Sequence, residues 1–151
     1  MPTVNPADWS WVLGIPVLVP FAAAALALLL ARHHTAQRVV ALIALVVVQV
    51  DAVFIAYLSM SGPLTLDVGG WSAPVGITLV ADRLSALMLV VSVFVTLCVL
   101  IYSFTQDPSM GRKLPVAVFQ PTFLILSAGV SNAFLTGDLF NLYVGFEILL
   151  V

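Results

Sequence analysis

Charged residues are scarce in this sequence. They make up 8% of the 151 residues, whereas hydrophobic residues make up 62% and the mean hydropathy is +1.19. About a quarter of the residues of a soluble domain are charged, so this chain lacks the charge that a water-exposed surface requires. Its apolar surface must face lipid, and the sequence predicts an integral membrane protein.

Cysteine and clustered basic residues are also nearly absent. Cys98, the one cysteine, can form neither an intrachain disulfide nor a cysteine metal cluster, and we expect a small buried residue there. His33 and His34 have no further metal ligands nearby in the sequence. Without a basic tract, a phosphate loop, a nucleophile elbow, or a haem or zinc motif, we expect no nucleic acid partner, metal, cofactor or covalent catalytic site in this chain.

Four apolar segments are long enough to cross a bilayer core of ~30 Å, which needs roughly 20 helical residues. They cover residues 11–31, 36–60, 79–104 and 114–135. A fifth helix opens near Gly137, and we expect it to continue beyond Val151. Since no lysine or arginine precedes Arg32, the first run is interpreted as a retained span rather than a signal peptide. The predicted fold class is an all-α membrane protein with four transmembrane helices and the start of a fifth.

Positive residues lie on alternate loops. The first loop carries Arg32 and Arg38, the third ends in Arg112 and Lys113, and Arg83 near the outer end of the third span is the exception. The positive-inside rule therefore predicts a multi-pass protein of the cell membrane with its N-terminus outside. The second, external loop has the alternation of a short β-hairpin around the Gly69-Gly70 pair. Its alternating apolar residues are Leu64, Leu66, Val68, Val75, Ile77 and Leu79.

Glu147 is the main candidate functional residue. It lies about ten residues into the fifth helix in apolar company, where a charge costs ~2.5–3.5 kcal/mol on insertion scales and tends to mark function. Burial disfavours its ionised form, which suits a carboxyl group that takes up and releases a proton. Tyr143 lies one turn earlier on the same face, within reach of a hydrogen bond. The alternative is a structural carboxyl group, protonated or paired with a basic residue on another helix.

Other polar residues in the spans have a functional and a structural interpretation. Asp51 interrupts the second span and either functions or docks that helix on a neighbour. Asp138 is interpreted as the cap of the fifth helix, with Asn141 one turn later, and Asp82 as the cap of the third. Two stripes at helical spacing either join helices or line a water-filled half-channel. They are Ser85, Ser92, Thr96 and Ser103 on the third helix, and Gln120, Ser127 and Ser131 on the fourth.

Two stretches resemble a known family. They are VADRLSALML at residues 80–89 and FLTGDLFNLYVGFE at residues 134–147. Both resemble the antiporter-like membrane subunits, which are shared by the Mrp-type multisubunit sodium/proton antiporters and the proton-pumping NADH:quinone oxidoreductase, respiratory complex I. Residues 136–143 are most similar to the D-type subunits of the Mrp antiporters.

The resemblance implies a helical bundle with two inverted repeats. Residues 1–113 would form the leading helices 1–3 with their loops, and residues 114–151 would begin the first repeat. The family's key glutamate falls on Glu147, and its implied partner is a lysine on a later helix that this sequence does not include. Gly145 departs from the family pattern, because relatives often carry a bulky apolar residue there.

The expected function is that of a membrane subunit in a hetero-oligomeric antiporter, surrounded by other membrane subunits and lipid. It would exchange H⁺ for Na⁺ or another monovalent cation, with Glu147 as the proton-handling group, and would be a secondary transporter rather than an enzyme. One alternative is a proton-pumping membrane subunit of a complex I-like oxidoreductase. Another is a truncated structural subunit that inserts and docks without transport of its own.

Overall fold

A computed structural model describes residues 6–71, 76–105 and 116–150 of the chain. The basic pair Arg112 and Lys113, and Val75 of the predicted hairpin, lie outside these described residues.

The architecture is helical with one small sheet. A 3-10 segment, Pro6–Gly14, leads into the first α-helix. The helices are α1 Ile15–Leu29, α2 His34–Ser59, α3 Arg83–Phe104, α4 Val116–Leu135 and α5 Leu139–Leu149, and the strands are β1 Leu64–Asp67 and β2 Thr78–Ala81. Among the described residues, four stretches are long and apolar enough to cross a membrane: Trp9–Leu29, His34–Ser59, Arg83–Phe104 and Val118–Leu135. This confirms the predicted fold class.

The first span differs from its prediction in its outer turns. The hydropathy predicts an α-helix from residue 11, but the α geometry begins at Ile15 and the preceding residues form the 3-10 segment. Pro16 lies in the first turn of α1, where a helix requires no N–H donor of its own. Because Pro16 has no N–H for the carbonyl of Val12, one α hydrogen bond is missing where the 3-10 segment meets the α-helix.

The third helix begins later than predicted. The apolar run from Leu79 predicts helix, but Leu79 to Ala81 belong to β2. Asp82 caps α3: its Oδ1 accepts from the Ser85 backbone N–H at 2.7 Å, while Ser85 Oγ accepts from the Asp82 N–H at 2.9 Å. This reciprocal capping box confirms the predicted cap and marks the boundary that hydropathy missed.

The predicted hairpin is confirmed for the described residues. Strands β1 and β2 pair antiparallel, with Leu64 opposite Ala81 and Asp67 opposite Thr78. Gly69 and Gly70 have φ of 72° and 76°, a left-handed conformation that favours glycine. Leu64 and Ala81 are buried, so one face of the hairpin closes the end of the helical bundle.

Two apolar clusters form the core. The hairpin-side cluster joins α2, α3 and both strands through residues such as Ile55, Leu64 and Leu89, and the distal cluster joins α1, α2, α3 and α4 through residues such as Ala27 and Leu45. Half of the α4 span is buried but only 22% of the α3 span. Helix α4 is therefore central and α3 is peripheral.

The expected burial of Cys98 is wrong within this structure, because the thiol is exposed. The buried residues of α3, including Ala86, Leu89 and Val93, recur at helical spacing on one face. Cys98 lies off that face. Apolar neighbours in the sequence therefore do not show that a residue is buried in the core. In a membrane helix, such a residue can instead face lipid or a partner subunit.

Candidate functional site

Asp138 caps the start of α5, as predicted. Its Oδ1 accepts from the Asn141 backbone N–H at 2.7 Å, and its Oδ2 accepts from the Thr78 N–H of β2 at 3.4 Å. The hydroxyl of Thr136 donates to the Asp138 carbonyl at 2.9 Å. One carboxylate thus accepts a hydrogen bond from a backbone N–H at the start of α5 and another from β2. The sequence did not predict the second bond, which joins the helix to the hairpin.

The turn before α5 extends the hairpin sheet. Thr136 forms an antiparallel bridge with Leu79, and the Gly137 N–H donates to the Thr78 carbonyl at 2.8 Å. A Cβ atom at Gly137 would lie 2.7 Å from Val80 Cγ2 and 2.8 Å from the Thr78 carbonyl oxygen. Glycine is therefore required by this close approach, which fixes where α5 begins.

Asn141 pairs with Asn132 of α4. Asn132 Nδ2 donates to Asn141 Oδ1 at 3.1 Å, and Asn141 Nδ2 donates to Asn132 Oδ1 at 3.3 Å. The two side chains are 6% and 4% exposed. The sequence reasoning named Asn141 but missed Asn132. The signal was available, because Asn132 precedes Thr136 by four residues and Asn141 follows Gly137 by four, which makes them neighbours across a helical hairpin.

Glycines allow α4 and α5 to pack closely. A Cβ at Gly145 would lie 3.2 Å from Asn132 Nδ2 and 3.7 Å from the Gly129 carbonyl oxygen. A Cβ at Gly129 would lie 3.0 Å from Ile148 Cγ2. Small residues at membrane helix contacts permit this approach. Gly145, the departure from the family pattern, thus serves helix packing.

Glu147 and Tyr143 lie on the opposite face of α5. Tyr143 is 62% exposed and Glu147 is also exposed. Within the described part of the chain, no hydrogen bond joins the two side chains, and the helices present do not bury the carboxylate. The predicted Tyr143–Glu147 pair is therefore on one face but is not bonded.

The remaining candidate residues lie elsewhere in the bundle. Gln120, Ser127 and Ser131 are all buried on α4, which confirms their common face. Ser131 donates to the Ser127 carbonyl of its own helix at 2.9 Å. Asp51 on α2 is 8% exposed, and its Oδ2 has no hydrogen-bond partner among the described residues. These side chains are not gathered around Glu147.

The polar stripe of α3 is half-buried and bonds locally. Thr96 donates to the Ser92 carbonyl and Ser103 to the Leu100 carbonyl, both within α3. His33 and His34 are exposed. Residues 6–71, 76–105 and 116–150 contain no group of three potential metal ligands.

Comparison with known proteins adds to this geometry. The chain is 38% identical over 138 residues to a D-type subunit of a Na(+)/H(+) antiporter from Alkalihalophilus pseudofirmus, and 36% identical over 138 residues to the protein of the same name from Bacillus subtilis. The chain is therefore similar in sequence to D-type subunits of these antiporters. Each alignment covers 91% of the chain and 27% of the relative, so the chain spans about a quarter of the length of these antiporter subunits.

Solved structures share the fold of this segment. A chain of the Mrp complex from Dietzia sp. DQ12-45-1b superposes with a TM-score of 0.84 at 29% identity, covering 95% of the segment and 26% of that chain. A chain of a membrane-bound sulfane sulfur reductase, an archaeal respiratory membrane complex, superposes with a TM-score of 0.82 at 24% identity, a likeness of fold alone. It covers 91% of the segment and 28% of that chain. The family described as NADH-Ubiquinone oxidoreductase (complex I), chain 5 N-terminus, matches residues 66–106.

Proposed function

We propose that this chain is part of a membrane subunit of a multisubunit monovalent cation/proton antiporter in the cell membrane. The observation that carries the proposal is the 38% identity over 91% of the chain to a D-type subunit of a Na(+)/H(+) antiporter. The transported ions are H⁺ and Na⁺ or another monovalent cation. The partners are further membrane subunits, and residues 114–151 begin the first antiporter-like repeat.

Glu147 is the proton-handling group in this proposal. Its carboxylate shares the exposed face of α5 with Phe146, Leu150 and Tyr143. Because a carboxylate facing lipid is unfavourable, this face packs against protein, either a later helix of the same polypeptide or a partner subunit. The family resemblance implies that the packed helix supplies a lysine.

A cation beside the carboxylate would drive the proton cycle. Its approach favours the ionised form of Glu147 and releases the proton, and its departure favours the protonated form. Alternation between the two states moves one proton through the site. The orientation that supports this cycle has the N-terminus and the hairpin outside and the α1–α2 loop inside, as the distribution of Arg32 and Arg38 indicates.

Replacement of Glu147 by glutamine tests the proposal. In membrane vesicles containing the assembled complex, Glu147→Gln should abolish cation-dependent proton movement, measured with a fluorescent pH indicator. Asp67→Asn is the control, since it removes the same charge on the hairpin, outside the spans. Transport by Glu147→Gln at the unsubstituted rate would overturn the proposal and favour a structural role for this segment.

A redox-driven pump is the second candidate, favoured by the match of residues 66–106 to a complex I family. In that case the assembled complex would purify with an NADH-oxidising peripheral arm. NADH, rather than a cation gradient, would then drive proton movement in vesicles. Purification with small membrane subunits alone, and exchange driven by a Na⁺ gradient, would exclude this candidate.

A further inference from the structure

The two faces of α5 differ sharply in character. Asn141 and Gly145 are buried against α4, whereas Tyr143, Phe146 and Glu147 are exposed. At 3.6 residues per turn, Glu147 lies about 200° around the helix from Gly145. The rotation of α5 about its own axis therefore sets the direction in which the carboxylate points.

Glycine packing brings the two helices together without selecting one rotation. The backbone of Gly129 meets the side chains of Ile148 and Leu149, and Gly145 meets that of Asn132. The apolar contacts of Ile148 and Leu149 are non-directional, so they oppose a small turn of α5 less than a hydrogen bond would. The cap at Asp138 fixes the end of the helix, since its bonds reach Asn141 N and Thr78 N. A directional contact within the helix–helix interface is needed to define the rotation beyond that end.

The Asn132–Asn141 pair is such a contact. Each amide donates to the other's oxygen, and Asn132 Nδ2 also lies 3.4 Å from the Asn141 carbonyl oxygen. Both side chains are more than nine-tenths buried. An amide without a partner in such surroundings is unfavourable, and a rotation of α5 would break both bonds together.

We infer that Asn132 is a positioning residue, whose reciprocal amide pair with Asn141 fixes the rotation of α5 and directs Glu147 away from α4. The effect on transport rests on the proposed function of Glu147. The effect on helix rotation does not.

Cysteine cross-linking measures the rotation directly. In the complete subunit within its complex and with Cys98 replaced by alanine, Gly129→Cys and Ile148→Cys should form a disulfide, because the Cβ position at Gly129 lies 3.0 Å from Ile148 Cγ2. The substitution at Ile148 also removes the nearest group that the new Cβ would meet, and the flexible end of the Leu149 side chain, at 3.1 Å, is the next. Gly129→Cys with Phe146→Cys is the matched control, since Phe146 faces outward, and should not cross-link.

Asn132→Leu should reduce the Gly129–Ile148 cross-link about three- to tenfold, the range expected when one hydrogen-bonded pair of side chains between membrane helices is lost. Asn132→Leu with Asn141→Leu separates positioning from stability. The double variant leaves no amide unpaired and should recover folding and expression, yet its cross-link should stay low. Ser59→Ala, which removes a buried hydroxyl bonded within α2, should leave the cross-link unchanged.

The outcomes are distinct. A cross-link in the double variant equal to that of the unsubstituted chain overturns the inference, because glycine packing would then suffice. A reduced cross-link with unchanged transport overturns the link between rotation and Glu147. If Glu147→Gln itself retains transport, the proposed function fails, and the cross-link still decides the role of Asn132.

Discussion

Polar side chains that form hydrogen bonds in the described helices do so in two ways. Some bond to their own helix, as Thr96 does to the Ser92 carbonyl. Others reach a second element: Gln37 Nε2 donates to the Ala27 carbonyl at 2.8 Å, and Arg83 Nη2 donates to the Met60 carbonyl at 3.0 Å. Bonds of the first kind leave a helix free to slide or turn, whereas bonds of the second kind fix helices relative to one another.

Asp82 offers a residue-scale test of capping. Asp82→Ala should lower stability by about 1 kcal/mol, because the Ser85 N–H loses its acceptor, while Asp82→Asn should cost only a few tenths. The measurement is the thermal unfolding midpoint of the detergent-solubilised complex. A midpoint for Asp82→Ala equal to that of the unsubstituted chain would show that the cap contributes nothing.

The same cap predicts a dependence on pH. The backbone N–H of Ser85 lowers the pKa of the Asp82 carboxyl group below its usual value of 3.8. The pKa of Asp82 is lower in the folded state than in the unfolded state. The carboxylate therefore contributes its full stabilisation above the unfolded-state pKa, and this stabilisation is lost as pH falls through the folded-state pKa. The difference in midpoint between Asp82 and Asp82→Ala should therefore shrink below about pH 4. A difference that grows on acidification would contradict this sign.

Local chemistry explains which residues could be anticipated. The caps at Asp82 and Asp138 were predictable because a cap depends on residues three positions away. Asn132 was missed because its partner lies on another helix, and the spacing from the turn was not used. The exposure of the Cys98 side chain could not be predicted, because hydropathy does not distinguish a residue in the protein core from one on a lipid-facing surface.

At the scale of elements, the hairpin and the start of α5 behave as one unit. Thr136, Gly137 and Asp138 each contact β2 through a backbone bridge or hydrogen bond. Hydropathy alone predicts that Leu79 is helical. The apolar residues of β2 directly precede those of α3 in the sequence, so the two elements form one continuous apolar run. The alternation around Gly69 and Gly70 nevertheless predicted the hairpin, since this pattern is local.

Gly137→Ala tests that unit. The added Cβ would overlap Val80 Cγ2 and the Thr78 carbonyl oxygen, and overpacking of this kind costs about 1–3 kcal/mol. The thermal midpoint should fall accordingly. Gly14→Ala is the control, since its Cβ would meet Leu18 Cδ1 at an ordinary 3.6 Å. A normal midpoint for Gly137→Ala would mean that the hairpin and α5 are not closely packed.

At the scale of the whole molecule, burial is uneven around the bundle. Helix α4 lies at the centre, while α3 and the Glu147 face of α5 present large apolar side chains outward, such as Phe94, Phe140 and Phe146. The composition predicted a membrane protein because the fraction of charged residues is too low to cover a water-exposed surface. It could not predict which apolar faces meet lipid and which meet other subunits.

Orientation in the membrane is tested by thiol labelling. In a chain with Cys98→Ala, a membrane-impermeant maleimide should label Thr65→Cys on the hairpin in intact cells and His34→Cys only after the cells are opened. Both side chains are exposed, so access decides the result. Labelling of His34→Cys but not of Thr65→Cys in intact cells would contradict the proposed topology and indicate the opposite orientation.

The contact between Thr78 and Asp138 spans 60 residues of sequence and implies an order of biogenesis. The outer edge of β2 cannot acquire its backbone partners until α3 and α4, which lie between these residues, have both entered the membrane. In the proposed orientation, residues 136–138 then reach a hairpin that has already crossed the membrane. A nascent chain released before that point would carry an unpaired strand edge, which can pair with a strand of another chain and lead to aggregation.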